Sequence, residues 1–261
     1  MAACACVFAL LAALSPGSSS GWGAEAPAPG EEDTEALTGV SPVELVPRIE
    51  VRQRFTPPAA GGAVHTTTLR LDIEFLRRTL LRYELPIAVV KTAAGQISGI
   101  GDIELDALVL LSTAPRHATA LLGGVVLDSA TRPALGAGKQ QVLYGAAAAL
   151  KPRPWWLILG VARETISYAG DPARPDVNQL ALRFGNVVFG REQDWLELDL
   201  LGNVNFVSAE GSFAGVVETG RLLVGRLGLF LRSGTTLVGP READYFLEAG
   251  VRYLFRLEKK K

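Results

Sequence analysis

From about Val46 onward the chain alternates between hydrophobic and polar residues with a period of two. The stretch Asp194 to Val207, DWLELDLLGNVNFV, carries the clearest case. Leu196, Leu198, Leu200, Gly202, Val204 and Phe206 share one parity, and Glu197, Asp199, Asn203 and Asn205 share the other, with Leu201 the only apolar intruder. Period two places successive side chains on opposite faces of a strand. The same rhythm sets Leu69, Leu71, Ile73 and Phe75 against Arg70, Asp72 and Glu74, and Tyr83, Leu85, Ile87 and Val89 against Arg82 and Glu84. It sets Leu227, Leu229 and Leu231 against Arg226 and Arg232. Near the end it sets Tyr245, Leu247, Val251, Tyr253 and Phe255 against Asp244, Glu248 and Arg252.

Read this way, strands are expected near Val46–Thr56, Thr66–Leu76, Leu80–Lys91, Asp102–Ser112, His117–Asp128 and Lys139–Lys151. Six more follow near Pro154–Tyr168, Val177–Phe189, Asp194–Val207, Phe213–Leu223, Gly225–Thr235 and Asp244–Phe255. Two of these, ALLGGVVLD and VLYGAAAAL, are apolar on both faces, and helix is the rival reading of YGAAAALK. Each segment has about the length that crosses a bilayer when tilted.

The connections carry a second regularity. PPAAGGAVH, TAAGQISGIG, SATRPALGAG, AGDPARPD and GTTLVGPREA are long, RRT, TAPR, PR, GREQ and VG are short, and SAEGS, between GREQ and VG, is intermediate. Long loops on one rim and short turns on the other are the habit of an outer-membrane barrel. A soluble sandwich has no reason to sort its loops by parity. The fold expected is therefore all-β, a transmembrane antiparallel up-and-down β-barrel of about twelve strands. Periodicity alone does not orient the faces. A ring of that size encloses a lumen too wide for side chains to fill as a dry core, so the apolar face is expected in lipid and the ionised face in water.

Composition narrows the function. The 261 residues carry a formal net charge of -1, which argues against a nucleic-acid partner. Both cysteines, Cys4 and Cys6, lie at the start, beside an apolar run, ACVFALLAAL, followed by small residues. Residues 1–23 read as an export signal, cut after Gly23 or Ala24, although no Lys or Arg precedes the apolar run. That run falls well short of the ~20 residues a spanning helix needs. Residues 24–45 read as a flexible, acidic, Pro-rich leader, 46–256 as the barrel and 257–261 as a basic tail.

Two stretches resemble known proteins. EAGVRYLF, with Glu248, Gly250, Tyr253 and Phe255, resembles the terminal signal by which bacterial outer-membrane barrels are recognised by the insertion machinery. It departs from that pattern in its RLEKKK tail. The stretch Arg82 to Leu111 is similar to a hairpin of the outer-membrane family named for the MetA pathway of phenol degradation, through Glu84, Leu85, Pro86, Gly99, Gly101 and Asp102. The resemblance implies a porin-like role or uptake of hydrophobic compounds. It covers about thirty residues.

Chemistry is sparse. His65 is expected in a long loop and His117 at a short turn, on opposite rims, so they cannot share a metal. A lipid hydrolase would need a Ser–His pair. His65 with Ser98 or Ser129 is the only conceivable one, and no nucleophile elbow surrounds it. Asp102, Glu104 and Asp106 could hold a hard cation, but alternation puts them on one strand face rather than around a loop. The expectation is no catalytic residue, no metal and no cofactor. The lumen is expected to carry a basic wall of Arg48, Arg52, Arg54, Arg70, Arg226, Arg232 and Arg252, moderated by Glu50, Asp72, Glu74 and Glu248. An acidic wall of Glu84, Asp102, Glu104 and Asp106 adjoins it, with Glu197 and Asp199 further round. Opposed rows would set up a transverse field acting on solutes, or else pair across the lumen and close it. The expected protein is thus a bacterial outer-membrane porin-like channel for small solutes, hydrophobic or aromatic ones included. Its partners would be outer-membrane lipids, the insertion machinery and the solute. A closed structural barrel acting through its loops is the alternative, and a lipid-hydrolysing barrel a more distant one.

Overall fold

The computed structural model describes residues 45–255, except 59–60, 94, 191–192, 225, 241–242 and 244. The export signal, nearly all of the leader, the basic tail and Asp244 lie outside the described residues. The strands are β1 (Arg48–Thr56), β2 (Ala63–Leu76), β3 (Thr79–Thr92), β4 (Gly95–Ile100), β5 (Ile103–Ala114), β6 (His117–Leu127) and β7 (Lys139–Arg153). They continue with β8 (Trp156–Gly170), β9 (Asn178–Phe189), β10 (Asp194–Asn205), β11 (Glu210–Val224), β12 (Leu227–Val238) and β13 (Phe246–Leu254). All pairings are antiparallel, and β1 pairs with both β2 and β13, so the sheet closes on itself. A closed ring leaves no edge where it closes, and every strand but β4, which pairs with β3 alone, finds strand partners on both sides.

Thirteen segments make twelve barrel strands, because β4 and β5 are two parts of one. Ile87 of β3 opposes Ile100, and Glu84 opposes Glu104, so three steps along β3 match four along β4 and β5. The extra residue is a bulge at Gly101–Asp102. The region 92–101, expected as a long loop, is therefore mostly strand, paired with β3 from Thr92 opposite Gly95 to Ile87 opposite Ile100; its glycines disguise it. The rival helix at YGAAAALK is likewise strand, in the middle of β7. Tertiary pairing outweighs the helix preference of its alanines because β6 and β8 flank it along its length.

Loop parity holds elsewhere with one exception: β10 and β11 are joined at the long-loop rim by only four residues, 206–209, as few as connect β9 and β10 at the other rim. The connections Arg77–Arg78, Pro115–Arg116, Pro154–Trp155, 190–193 and 225–226 are short and join strand ends at one rim, and the longer connections 57–62, 128–138, 171–177 and 239–245 join strand ends at the other. Burial orients the faces. Leu198 is 51% exposed and Leu231 63%, whereas Glu197 and Asp199, on the opposite parity, are 2% and 3% exposed. The polar parity points into the barrel and the apolar parity points out.

The interior differs from expectation at one end. Leu80, Leu108, Ala120, Ala147, Ala149, Leu157, Leu159, Val187, Phe189, Trp195, Leu222, Phe230 and Leu254 form one buried cluster, with Leu45 and Val46 packed against it. Most of these residues sit on the last inward positions before a short turn or chain end. The barrel is not too wide to fill there, because Trp195 and Phe230 reach into room left by glycines. A Cβ on Gly220 would run into the Trp195 ring, and one on Gly250 into the Phe230 ring. Gly250 thus has a packing reason of its own, beside the insertion signal expected of it.

Candidate functional site: the ion-paired inner wall

Above the apolar cluster the inner wall is built of charge ladders set by strand register. Arg48, Asp72, Arg82 and Asp106 stand opposite one another across β1, β2, β3 and β5. A second row runs Arg252, Glu50, Arg70, Glu84 across β13, β1, β2 and β3. A third runs Glu218, Arg232, Glu248, Arg54 across β11, β12, β13 and β1. Signs alternate in each row, the arrangement that stabilises cross-strand neighbours.

The contacts follow the rows. Asp72 accepts from Arg70 at 2.9 and 2.6 Å, a bidentate pair, and also meets Arg48 at 3.1 Å and Arg82 at 3.2 Å. Arg52 reaches Glu84 at 2.6 Å, and Arg54 reaches Glu248 at 2.7 Å. Arg252 lies 3.3 Å from Glu50 and 3.0 Å from Glu218, with its guanidinium against the rings of Phe230 (4.4 Å) and Trp195 (5.1 Å). The Trp195 indole donates to Glu218 at 3.0 Å. Two pairs, Arg252 with Glu50 and Arg54 with Glu248, bridge β1 and β13, where the barrel closes.

The second and third rows each end on like charges, Glu84 opposite Glu104 and Glu218 opposite Glu197. At each end a further arginine intervenes. Arg163 of β8 donates to Glu104 of β5 at 2.7 Å, reaching past β6 and β7. Arg183 of β9 donates to Asp199 at 3.0 Å and also to Glu197. Arg232 adds a contact to Asp199 at 3.5 Å. Arg163, Arg183 and Glu218 are members that sequence reading missed, and Arg82, read there only as part of a polar strand face, was not assigned to either wall. Arg163 and Arg183 lie on inward faces that are otherwise apolar or small, so no alternation marks them.

Among the residues expected on the wall, Arg48, Arg52, Arg54, Arg70, Arg232, Arg252, Glu84, Glu104, Asp106, Glu197 and Asp199 all fall on the inward parity. Two do not. Arg226 is exposed in the turn between β11 and β12, because its residue precedes the first paired position, Leu227. Asp102 lies in the bulge, where it accepts from the Ala130 amide at 3.2 Å and the Ala137 amide at 2.6 Å. The expectation of opposed basic and acidic walls is also corrected. Register interleaves the signs, so neutralisation runs along the wall rather than across the lumen.

Asp102 is the centre of a clasp. Ser129 accepts from the Ile103 amide at 2.9 Å, and the Thr131 amide donates to the Ile100 carbonyl at 3.0 Å. A Cβ on Gly99 would run into Thr131, and one on Gly136 into Asp102. Gly99 opposes Ala88, on the same face of β3 as Glu84, so loop 128–138 rests against the inward side of β4. A second loop holds it from outside. Asp171 donates its amide to the Gly138 carbonyl at 2.9 Å, Arg174 donates to the Pro133 carbonyl, and Lys139 pairs with Asp176 at 2.8 Å. The Lys139 ammonium, by hydrogen bond and then by charge, holds the Asp176 carboxyl below its ordinary pKa.

His65 lies in β2 rather than in a loop, its ring 5.1 Å from that of Phe55. Both His65 and Ser98 flank Val89, two strand spacings apart, and no hydrogen bond joins them among the described residues. The Ser129 hydroxyl is engaged in the clasp. His117 opens β6 at the other rim. Among the described residues no group of three or more His, Cys, Asp or Glu is placed to hold a metal ion.

A closed antiparallel ring with exposed aliphatic residues outside and ionised residues inside is an outer-membrane β-barrel fold. The solved structures it is similar to are of that class. An outer-membrane channel of Pseudomonas putida F1 superposes with a TM-score of 0.67 at 13% identity, over 80% of this chain and 95% of that one. The porin NanC gives 0.59 at 7% identity, over 80% and 100%. The porin KdgM, solved with disordered oligogalacturonate, gives 0.56 at 9% identity, over 80% and 99%. At these identities the likeness is one of fold. No protein-family model matches the sequence, and no curated protein matches it.

Proposed function

We propose that the chain is a porin-like channel of the bacterial outer membrane, passing small solutes along the ion-paired inner wall and closed at rest by the apolar cluster at the short-turn rim. The observation that carries this reading is the charge ladder itself. Burying that many ions inside a barrel is costly without hydration or pairing, and Asp106 Oδ1, Asp199 Oδ1 and Arg232 Nε have no protein partner among the described residues. The interleaved signs favour weak ion selectivity, since no single-sign row faces the path. A solute with an apolar body and a polar group fits both parts of the interior, the apolar cluster and the ladders. The resemblance of Arg82 to Leu111 to the phenol-pathway family supports that class. The reading assigns no catalytic residue and no cofactor, and gives the terminal Gly250, Tyr253 and Phe255 to recognition by the insertion machinery.

A closed barrel acting through its loops is the second reading, favoured by the buried cluster around Trp195 and Phe230. Conductance in a planar bilayer separates the two. The channel reading expects small steps from the native protein and larger ones from a Trp195→Ala, Phe230→Ala double variant. A folded barrel that stays silent in both forms overturns it and leaves the closed barrel.

A further inference from the structure

The short-turn rim has a charge pattern that solute passage does not use. Arg77, Arg78, Arg116, Arg153 and Arg226 lie in or beside its turns, all are exposed, and none has a carboxylate within ion-pair distance among the described residues. Asp194 at this rim is already engaged by Arg221 at 3.3 Å. The opposite rim is mixed, with Asp128, Asp171 and Asp176 beside Arg132 and Arg174. Outward aromatics mark the same level as the five arginines. Phe75, Trp155, Tyr253 and Phe255 are exposed at strand ends or in turns there, and the Arg153 guanidinium lies 5.4 Å over the Trp155 ring. Outward aromatics at such a level sit where acyl chains meet headgroups.

We propose that this rim binds the phosphate groups of anionic phospholipids in the leaflet it faces, the arginines taking phosphate oxygens and the aromatics setting the depth. Guanidinium suits this role because its planar fork meets phosphate oxygens two at a time. Spread over four turns around the circumference, the ring selects lipid by headgroup charge and holds the barrel at one height. The proposal rests on the membrane-barrel reading and is independent of whether the barrel conducts.

The test uses the full-length, folded protein in phosphatidylcholine vesicles doped with spin-labelled phosphatidylglycerol or spin-labelled phosphatidylcholine. The readout is the motionally restricted fraction of each probe. The expected result is a preference for phosphatidylglycerol of about fivefold, the scale of one surface arginine near an anionic headgroup, falling towards one in 1 M salt as screening shortens to a few ångströms. Replacing all five arginines by alanine should abolish the preference. Replacing them by lysine should keep most of it, which separates charge from misfolding. An Arg132→Ala, Arg174→Ala variant at the other rim should leave it intact. Equal restriction of the two probes by the native protein overturns the proposal, as does a preference that survives the five alanines. Loss of the preference to millimolar inorganic phosphate overturns it in favour of a free-anion site. Absence of any restricted lipid would instead remove the barrel reading beneath it.

Discussion

Asp72 is 2% exposed and faces three guanidiniums, those of Arg48, Arg70 and Arg82. Removing such a carboxylate leaves buried positive charge without its counter-ion, a loss of about 3–5 kcal/mol in comparable buried pairs. Asp72→Ala is therefore expected to lower the midpoint of denaturant unfolding in detergent micelles sharply, and Asp72→Asn less so. A shift below about 1 kcal/mol would show that the ladder is solvated rather than mutually dependent. At this scale the inward ions of β1, β2, β3, β10, β12 and β13 were legible, because each sits in a run of alternating polarity. Arg163 and Arg183 were not, since nothing in their own strands sets them apart; only the register of β9 on β10 brings Arg183 to Glu197 and Asp199, and only the curvature of the sheet across β6 and β7 brings Arg163 to Glu104.

The element that departs most from its sequence signal is the broken strand of β4 and β5. A Gly-rich stretch reads as a loop. Here the glycines serve close approach instead, letting loop 128–138 lie against β4 while Asp102 takes two of its amides. Asp102→Ala should free Ala130 and Ala137, raising hydrogen exchange across 129–138 at a global cost of about 1–2 kcal/mol. Unchanged protection there would remove Asp102 from the clasp. The outer loop of the clasp should respond to acid. The folded pKa of Asp176 is depressed by Lys139, so its contribution is present above the ordinary aspartate value of about 3.9 and lost as pH falls through the lower folded one. A nitroxide at position 173 should report constant mobility from pH 7 to about 5 and rising mobility below about 4. Asp176→Asn should be mobile throughout, and a native label insensitive to acid would contradict the assignment.

For the molecule as a whole, the outward band of leucine, valine and aromatic residues requires an apolar surrounding. Leu198→Arg, in the middle of the outward face of β10, should destabilise the barrel in lipid vesicles by about 2–4 kcal/mol, and arginine at the loop position Phe206 by about 1 kcal/mol or less. Equal effects at both positions would place the apolar face somewhere other than hydrocarbon.

Period-two patterning and the parity of loop lengths determined, from sequence alone, that this chain forms antiparallel strands with one ionised and one apolar face, joined into an up-and-down barrel. Those properties are local, since side-chain alternation and turn chemistry are set within a few residues. Three features waited on tertiary structure: the interleaving of charges into ladders, the apolar closure beneath them and the fold of loop 128–138 onto β4. Each depends on strand register and ring closure. A shift of one residue between neighbouring strands changes which side chains meet, and no single strand carries that information.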